Sequence, residues 1–329
     1  MQSGVHAGLS SRRPRVRIPS GPLVGSGRLG RVAQLAEHAP EKRGVTGSTP
    51  VPTTPQHSYD SGMADPGFDT VLLIHGLWMT SLCWEHWTER FRGRGINVIA
   101  PGWPGTEVPI EDLRKDASAL APLGVREIVD HYDKIIRALD RPPVLMGHSF
   151  GGLFVQMLLD RGLGAAGISI DGAPAKGIKL LPASALVVAG YALKNPANRH
   201  RTVALNGKQF HYAFGNSLTR EQSDAVHARY AIPGPGRPLF QAAFANVTRD
   251  AATTVNFANS KRAPLLLVGG GKDHVVPASV TKTTKKKYKQ STAVTDLTIY
   301  PDRTHYTLGQ QGWEKVADDS LAWARARTA

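Results

Sequence analysis

The stretch Val144–Phe154, "VLMGHSFGGLF", constrains the fold of this chain more tightly than any other. A short apolar run stops at Gly147-His148-Ser149-Phe150-Gly151-Gly152 and then resumes with helical spacing, so a strand must become a helix within a few residues. Glycine at 147 and 151 removes the Cβ atoms that would collide with the neighbouring strand and helix. The serine between them takes the strained turn and projects its hydroxyl at the sheet edge. Gly-x-Ser-x-Gly after a strand and before a helix is the pattern of a nucleophile elbow, and the helix that follows would aim its dipole and free N–H groups at the reacting centre. A tight turn without chemistry is the alternative; the flanks "PVLM" and "GLFVQMLL" favour the elbow.

The rest of the chain fits a sheet that could carry such a turn. From Val71, short β-branched runs alternate with amphipathic stretches: "VLLIHG" (71–76), "INVIAPG" (96–102), "PVLMGHS" (143–149), "AGISID" (166–171), "PLLLVGG" (264–270) and "DLTIYPD" (296–302). Helices are expected at 82–92, 125–139, 150–161 and 313–326. This order predicts an α/β fold with a mainly parallel sheet and helices on both faces, and near-continuous apolar strands are those buried on both sides. Residues 175–260 break the rhythm, replacing one short crossover helix with helical text such as "TREQSDAVHARYAI" and "RPLFQAAFANV". An inserted helical lid is expected there, its aromatic residues forming a small core of their own or an apolar wall over a pocket.

A serine hydroxyl is a poor nucleophile near neutral pH, so a base must take its proton and a third group must orient that base. In an elbow protein the chain order is Ser, acid, His. His305, on the loop after the last predicted strand, is the expected base; His200, His211 and His227 fall in the insertion and are weaker candidates. Asp273, in the tight post-strand loop of "LLLVGGGKDHVVP", is the favoured acid, with Asp171, after "AGISI", as the alternative; Asp302 lies too near His305 in sequence. Two backbone N–H groups must meet the oxyanion formed on attack. Phe150 supplies one, and Leu77 in "HGLW" is the expected second, ahead of Trp78. His75 reads as scaffold, while His148, Trp78, Phe210 and Phe214 are candidates to line a pocket.

Composition narrows the classes. The chain has 329 residues, 41% hydrophobic and 20% charged, enough for one substantial core. A single cysteine, Cys83, excludes a disulfide framework and a cysteine-cluster metal site. No apolar run reaches the length that crosses a bilayer, and no secretory leader pattern opens the chain, so a soluble, cytoplasmic protein is expected. The formal charge of +14 could suggest nucleic acid or an anionic surface. It has local sources: residues 1–62 carry eight Lys/Arg against three Asp/Glu, and Lys282–Lys289 holds five lysines. Neither region has an aromatic-interleaved RNA-binding pattern or zinc-finger spacing, so a solvated face is expected, with no nucleic-acid partner. Nothing in the sequence sets the oligomeric state.

Residues 1–62, rich in Gly, Pro, Ser and Arg and without periodicity, read as disordered. A second reading is that they are not part of the native protein. "VAQLAEH" (32–38) resembles the translation of a tRNA D-arm, Gly47-Ser48-Thr49-Pro50 a T-arm, and "VRIP" (16–19) the same T-arm in another frame. On this reading translation begins at Met63, and residues 63–329 form the functional domain.

From about Phe68 onward the sequence resembles the α/β-hydrolase superfamily, with "HGLW", "GHSFGG", "GKDHVVP" and "THYTLGQQGWE" in the expected order. The resemblance implies an eight-stranded, mostly parallel sheet, a lid after the sixth strand and a Ser-His-Asp mechanism without metal or cofactor. "FDTVLLIHG" follows Met63 almost at once, so the opening antiparallel hairpin is shortened or absent. Lidded relatives that open epoxides or remove halogens carry aspartate at the nucleophile, whereas Ser149 implies acyl chemistry: an esterase, lipase or lactonase-like hydrolase of small, apolar esters. Relatives with the same triad that act as cofactor-free haloperoxidases, C–C bond hydrolases or lyases are the alternative, and a non-catalytic ligand-binding member is a further one. No lysine can be placed in the pocket, where a lyase would carry one.

Overall fold

Thr70–Ile74 (β1) is buried along its whole length, as are Val144–His148 (β3) and Ala166–Ile170 (β4). Such strands form because branched apolar side chains on both faces find cover only inside a sheet. Asn97–Ile99 (β2), Leu265–Gly270 (β7) and Thr295–Tyr300 (β8) complete a six-stranded sheet in the order β2-β1-β3-β4-β7-β8, every neighbouring pair parallel. A computed structural model describes residues 67–179 and 182–328, all within one compact unit. The expected start at Met63 and the reading of residues 1–62 lie outside the described residues.

Two corrections concern the sheet. The eight-stranded sheet implied by the resemblance has six strands among the described residues, which open just ahead of β1. The strand expected over 96–102 is only three residues long, since Pro101, Gly102 and Pro104 turn the chain away from the ladder.

Helices cover the sheet as their patterns dictate. Glu85–Arg92 (α1) buries Trp87 and Phe91, and Val125–Arg137 (α3) buries Val125, Ile128, Val129, Tyr132 and Ile136 along one stripe. Phe150–Asp160 (α4) is buried on all sides except at its last residue, as a helix apolar all round should be. After the short Ile110–Lys115 (α2), the segment between β4 and β7 contains Ala183–Leu193 (α5), Gly207–Ala213 (α6), Arg220–Tyr230 (α7) and Arg237–Ala243 (α8), with a two-residue ladder of Thr202–Val203 (β5) and Gly234–Pro235 (β6). Capping boxes start α6 at Asn206 and α7 at Thr219. The lysine run forms Ala278–Lys287 (α9), which buries Val280, Thr281 and Thr284 and exposes Lys282 and Lys286. Trp313–Thr328 (α10) closes the chain. No helix among the described residues is long and apolar enough to cross a membrane.

The strand order reverses between β1 and β3, the chain stepping outward to β2 and then back across β1. In parallel sheets ligands bind at such a point, outside the carboxyl ends of the strands. The loops after β1 and β3 flank it here.

Candidate active site

Ser149 follows β3 at φ 57°, ψ −119° and heads α4. Among the described residues only three non-glycines have positive φ: Ser149 and Asp171, directly after β3 and β4, and Trp78, in the loop after β1. Strain of this kind persists only where the surroundings enforce it. The glycines are part of that enforcement. A Cβ on Gly147 would stand 2.1 Å from the Gly151 carbonyl oxygen, and one on Gly151 would stand 2.1 Å from that of Ile74. With glycine at both places, β3, α4 and β1 close together and the elbow cannot relax.

The loop after β1 presses against the serine. A Cβ on Gly76 would lie 2.7 Å from Ser149 Cβ and 3.3 Å from Ser149 Oγ. Leu77 N–H and Phe150 N–H, the latter at the first position of α4, have no acceptor among the described residues. His75 holds the loop in place. Its Nδ1–H donates to Gly76 O (2.8 Å), its Nε2 accepts from Trp103 N–H (3.1 Å), and its ring stacks on Trp103 at 5.0 Å. Trp103 Nε1–H also donates to the His75 carbonyl at 3.2 Å. Burial lowers the His75 pKa to about 4, keeping it neutral and fixed as scaffold.

His305 lies beside the elbow with its side chain fully buried, its ring 4.6 Å from that of His148. His305 Nδ1 is 2.7 Å from Asp273 Oδ2, and Asp273 Oδ1 accepts from Val275 N–H (2.6 Å) and Val276 N–H (2.9 Å). The other imidazole nitrogen, His305 Nε2, is buried without a hydrogen-bond partner, and Ser149 Oγ makes none among the described residues. Burial lowers the His305 pKa to about 3, so the ring is neutral at rest. Burial also raises Asp273, to about 7, against the opposing pull of the Val276 and Val275 N–H groups. The loop bearing His305 is tied by Arg303, which donates to the carbonyls of Gln310, Gln311 and Gly312, and by Gln310 Oε1, which accepts from Thr304 N–H at 2.9 Å.

Asp171 is the second buried acid. Its Oδ1 accepts from Gly270 N–H at 2.6 Å, while Oδ2 is buried without a partner of ordinary geometry. Burial and the facing carboxyl of Asp273 hold its pKa well above the usual range, since two adjoining carboxylates in a dry site cannot both ionise. His148, Asp171 and His305 bring ligand-type atoms within 4.8 Å of one another. On each residue one polar atom is engaged, His148 Nε2–H donating to His305 O (2.8 Å), His305 Nδ1 pairing with Asp273 and Asp171 Oδ1 with Gly270, while His148 Nδ1, Asp171 Oδ2 and His305 Nε2 are buried without a partner. The group is a hydrogen-bonded network around the imidazole.

The remaining candidates separate. Phe214 meets His305 edge-on at 4.9 Å and Trp78 at 6.3 Å. Phe210 stacks behind Phe214 at 4.7 Å, fully buried, so it belongs to the insertion's own core rather than a pocket wall. Trp78 donates to Val203 O at 3.0 Å. Asp302 is exposed and pairs with Lys272. His227 bonds the Leu205 carbonyl and His200 bonds Arg199, both within the insertion. Sequence reasoning missed Trp103, which clamps the distant β1 loop through His75, and Arg303 and Gln310, which brace the loop of His305 from within. The insertion lies over this rim, held by Ile232 N–H to Trp78 O, Tyr306 N–H to Phe214 O and Asn216 Nδ2–H to Lys272 O. Cavities of about 850 and 710 Å³ open elsewhere on the surface, and Ser149 itself is 5% exposed.

A sequence profile described as the alpha/beta hydrolase family matches residues 71–319, and the chain belongs to that family. Comparison with curated proteins finds no match. Among solved structures, the chain is similar to a monoacylglycerol lipase of Paleococcus ferrophilus (21% identity, TM-score 0.55, covering 78% of this chain and 94% of that one). It is similar also to an extracellular alpha/beta-hydrolase from a Paenibacillus species (19%, 0.57, 77% and 98%) and to a methylesterase from Arabidopsis (14%, 0.55, 78% and 98%). At these identities the likeness is one of fold.

Proposed function

We propose that the protein is a serine hydrolase of carboxylic esters. What supports this reading most is a strained Ser149 pressed against the Gly76 loop, with the His305 imidazole, already paired to a buried acid, packed on the adjoining His148 ring. Ser149 Oγ attacks the ester carbonyl while His305 Nε2 takes its proton. Asp273 holds His305 Nδ1 and stabilises the imidazolium that forms. Phe150 N–H and Leu77 N–H receive the oxyanion. As the tetrahedral adduct collapses, His305 gives the proton to the leaving alkoxide; water, deprotonated in turn by His305, then attacks the acyl-enzyme, and His305 returns that proton to Ser149 Oγ as the acid leaves.

The Ser149–His305 hydrogen bond is absent at rest, and catalytic hydrogen bonds commonly tighten only when substrate is bound. The insertion acts as the lid, with Phe214 and Trp78 as the apolar wall over the imidazole, and it must shift for an ester to reach a serine so little exposed. Asp171 is secondary as an acid because its one good hydrogen bond goes to Gly270 rather than to His305. The esterase and lipase neighbours support the same substrate class. Hydrolysis of short p-nitrophenyl esters tests the reading: Ser149→Ala should lose about 10⁴-fold or more in kcat. Unchanged hydrolysis by that variant would refute it.

A further inference from the structure

The segment from Gly172 to Arg220 contains seven Lys/Arg and not one Asp or Glu. Extended to Arg249 it holds ten cations against Glu221 and Asp224, a surplus of eight out of the chain's +14. Three of those cations are neutralised: Arg220 by Asp224, Arg229 by Glu85 and Arg237 by Glu127. Lys179, Lys194, Arg199, Arg201, Lys208 and Arg249 are exposed and form no ion pair among the described residues.

Within this cationic field lies α5, "ASALVVAGYAL", which has no charged residue. A helix apolar all round belongs in a core. Here only Val188 and Ala192 are buried, while Leu186 is 52% and Val187 46% exposed. α5 packs on α8, beyond which Phe244 is 54% and Val247 83% exposed. The chain entering α5 is tied to that leaving α8, because Lys176 Nζ donates to the carbonyls of Thr248 and Arg249 and Gly177 N–H donates to Asn246 Oδ1. Leu193, Arg199, His200 and Phe244 line one cleft. Phe244 and Arg199 therefore share one cleft, Lys194 caps the end of α5, and Arg249 follows the exposed Val247 by two residues.

From this juxtaposition we infer that the α5 face of the insertion docks on an anionic lipid surface, its leucine, valine and phenylalanine side chains entering the acyl boundary and its lysines and arginines meeting the phosphates. A nucleic acid would use the charge and leave the apolar residues in water. A bilayer uses both at once. The inference does not depend on the role of Ser149.

Co-sedimentation of the full chain with phospholipid vesicles tests it, comparing purely zwitterionic vesicles with vesicles that are one-third anionic. Binding to the anionic vesicles only, weakening as salt rises, is expected. Leu186→Glu with Val187→Glu should weaken that binding by about tenfold or more, since the burial of both side chains is lost. Lys179→Gln and Lys194→Gln should each weaken it by about fivefold, and these surface changes decide the matter if the glutamate variant does not fold. Absence of vesicle binding, equal binding to both vesicle types, or undiminished binding by a folded glutamate variant would overturn the inference. So would binding of duplex DNA that the glutamate changes leave intact in place of vesicle binding.

Discussion

The rim of the sheet and the insertion above it are built on opposite terms. At the rim, every strained non-glycine among the described residues, two buried carboxyls and three buried imidazoles crowd together, and glycines at 76, 147 and 151 let three elements touch. Over the insertion, exposed cations that form no ion pair among the described residues stand beside exposed apolar side chains. Packing at the rim fixes each group from several sides, so its geometry is specified and its tolerance small. The insertion is tied down by backbone bonds, by Trp78 Nε1–H to Val203 O and Asn216 Nδ2–H to Lys272 O, and by the Arg229–Glu85 and Arg237–Glu127 pairs, while Leu186 and Val187 stay exposed on α5. Chemistry should therefore fail at the rim, and surface behaviour should change at the insertion.

The largest expected effect separates the two acids within the rim. Asp273→Asn should lower kcat/KM for a soluble ester by about 10⁴-fold, since the amide cannot support the imidazolium or fix the required tautomer. Equal losses at 171 and 273 would erase the distinction drawn between them. Next, Gly76→Ala places a methyl against Ser149 and the His148 carbonyl, and a loss of about 10²- to 10³-fold is expected from displaced oxyanion donors. An active, unshifted Gly76→Ala enzyme would show that the β1 loop does not bear on the reacting centre.

A third test uses pH. Asp273, raised to about 7, must be ionised to support the imidazolium, while His305, lowered to about 3, stays neutral throughout. Activity should thus rise with pH through about 7, falling by about 10² two pH units below that. A flat profile there would contradict the assignment of the acid.

The smallest effect belongs to Asp171→Asn, less than about tenfold in kcat/KM. Its thermal signature is more telling. The folded carboxyl stays protonated well above the 3.8 at which the unfolded chain ionises, so native stability is lost as pH rises above that value. Asparagine removes this penalty, and the gain in Tm over the unaltered protein should grow from about pH 5 to about pH 8. A gain independent of pH would mean that Asp171 is ionised in the fold.

Much of the rim was legible in the sequence because its constraints are local. Gly147, Ser149 and Gly151 announce a strand-to-helix turn by themselves, and Asp273 and His305 sit on loops that immediately follow apolar strands. What was not legible depends on distant partners. Trp103 acts by clamping His75, and Phe210 is core because Phe214 stacks over it. Within residues 175–260 the helical text "TREQSDAVHARYAI" and "RPLFQAAFANV" coincides with α7 and α8. The exposure of α5 was not foreseen, because its composition is that of a buried helix.

The most direct test of the central claim is covalent. Treatment with a fluorophosphonate, followed by digestion and mass mapping, should place one adduct on the peptide containing Ser149, with ester hydrolysis lost in proportion to labelling. An adduct on another residue, or complete labelling of Ser149 with hydrolysis intact, would contradict it.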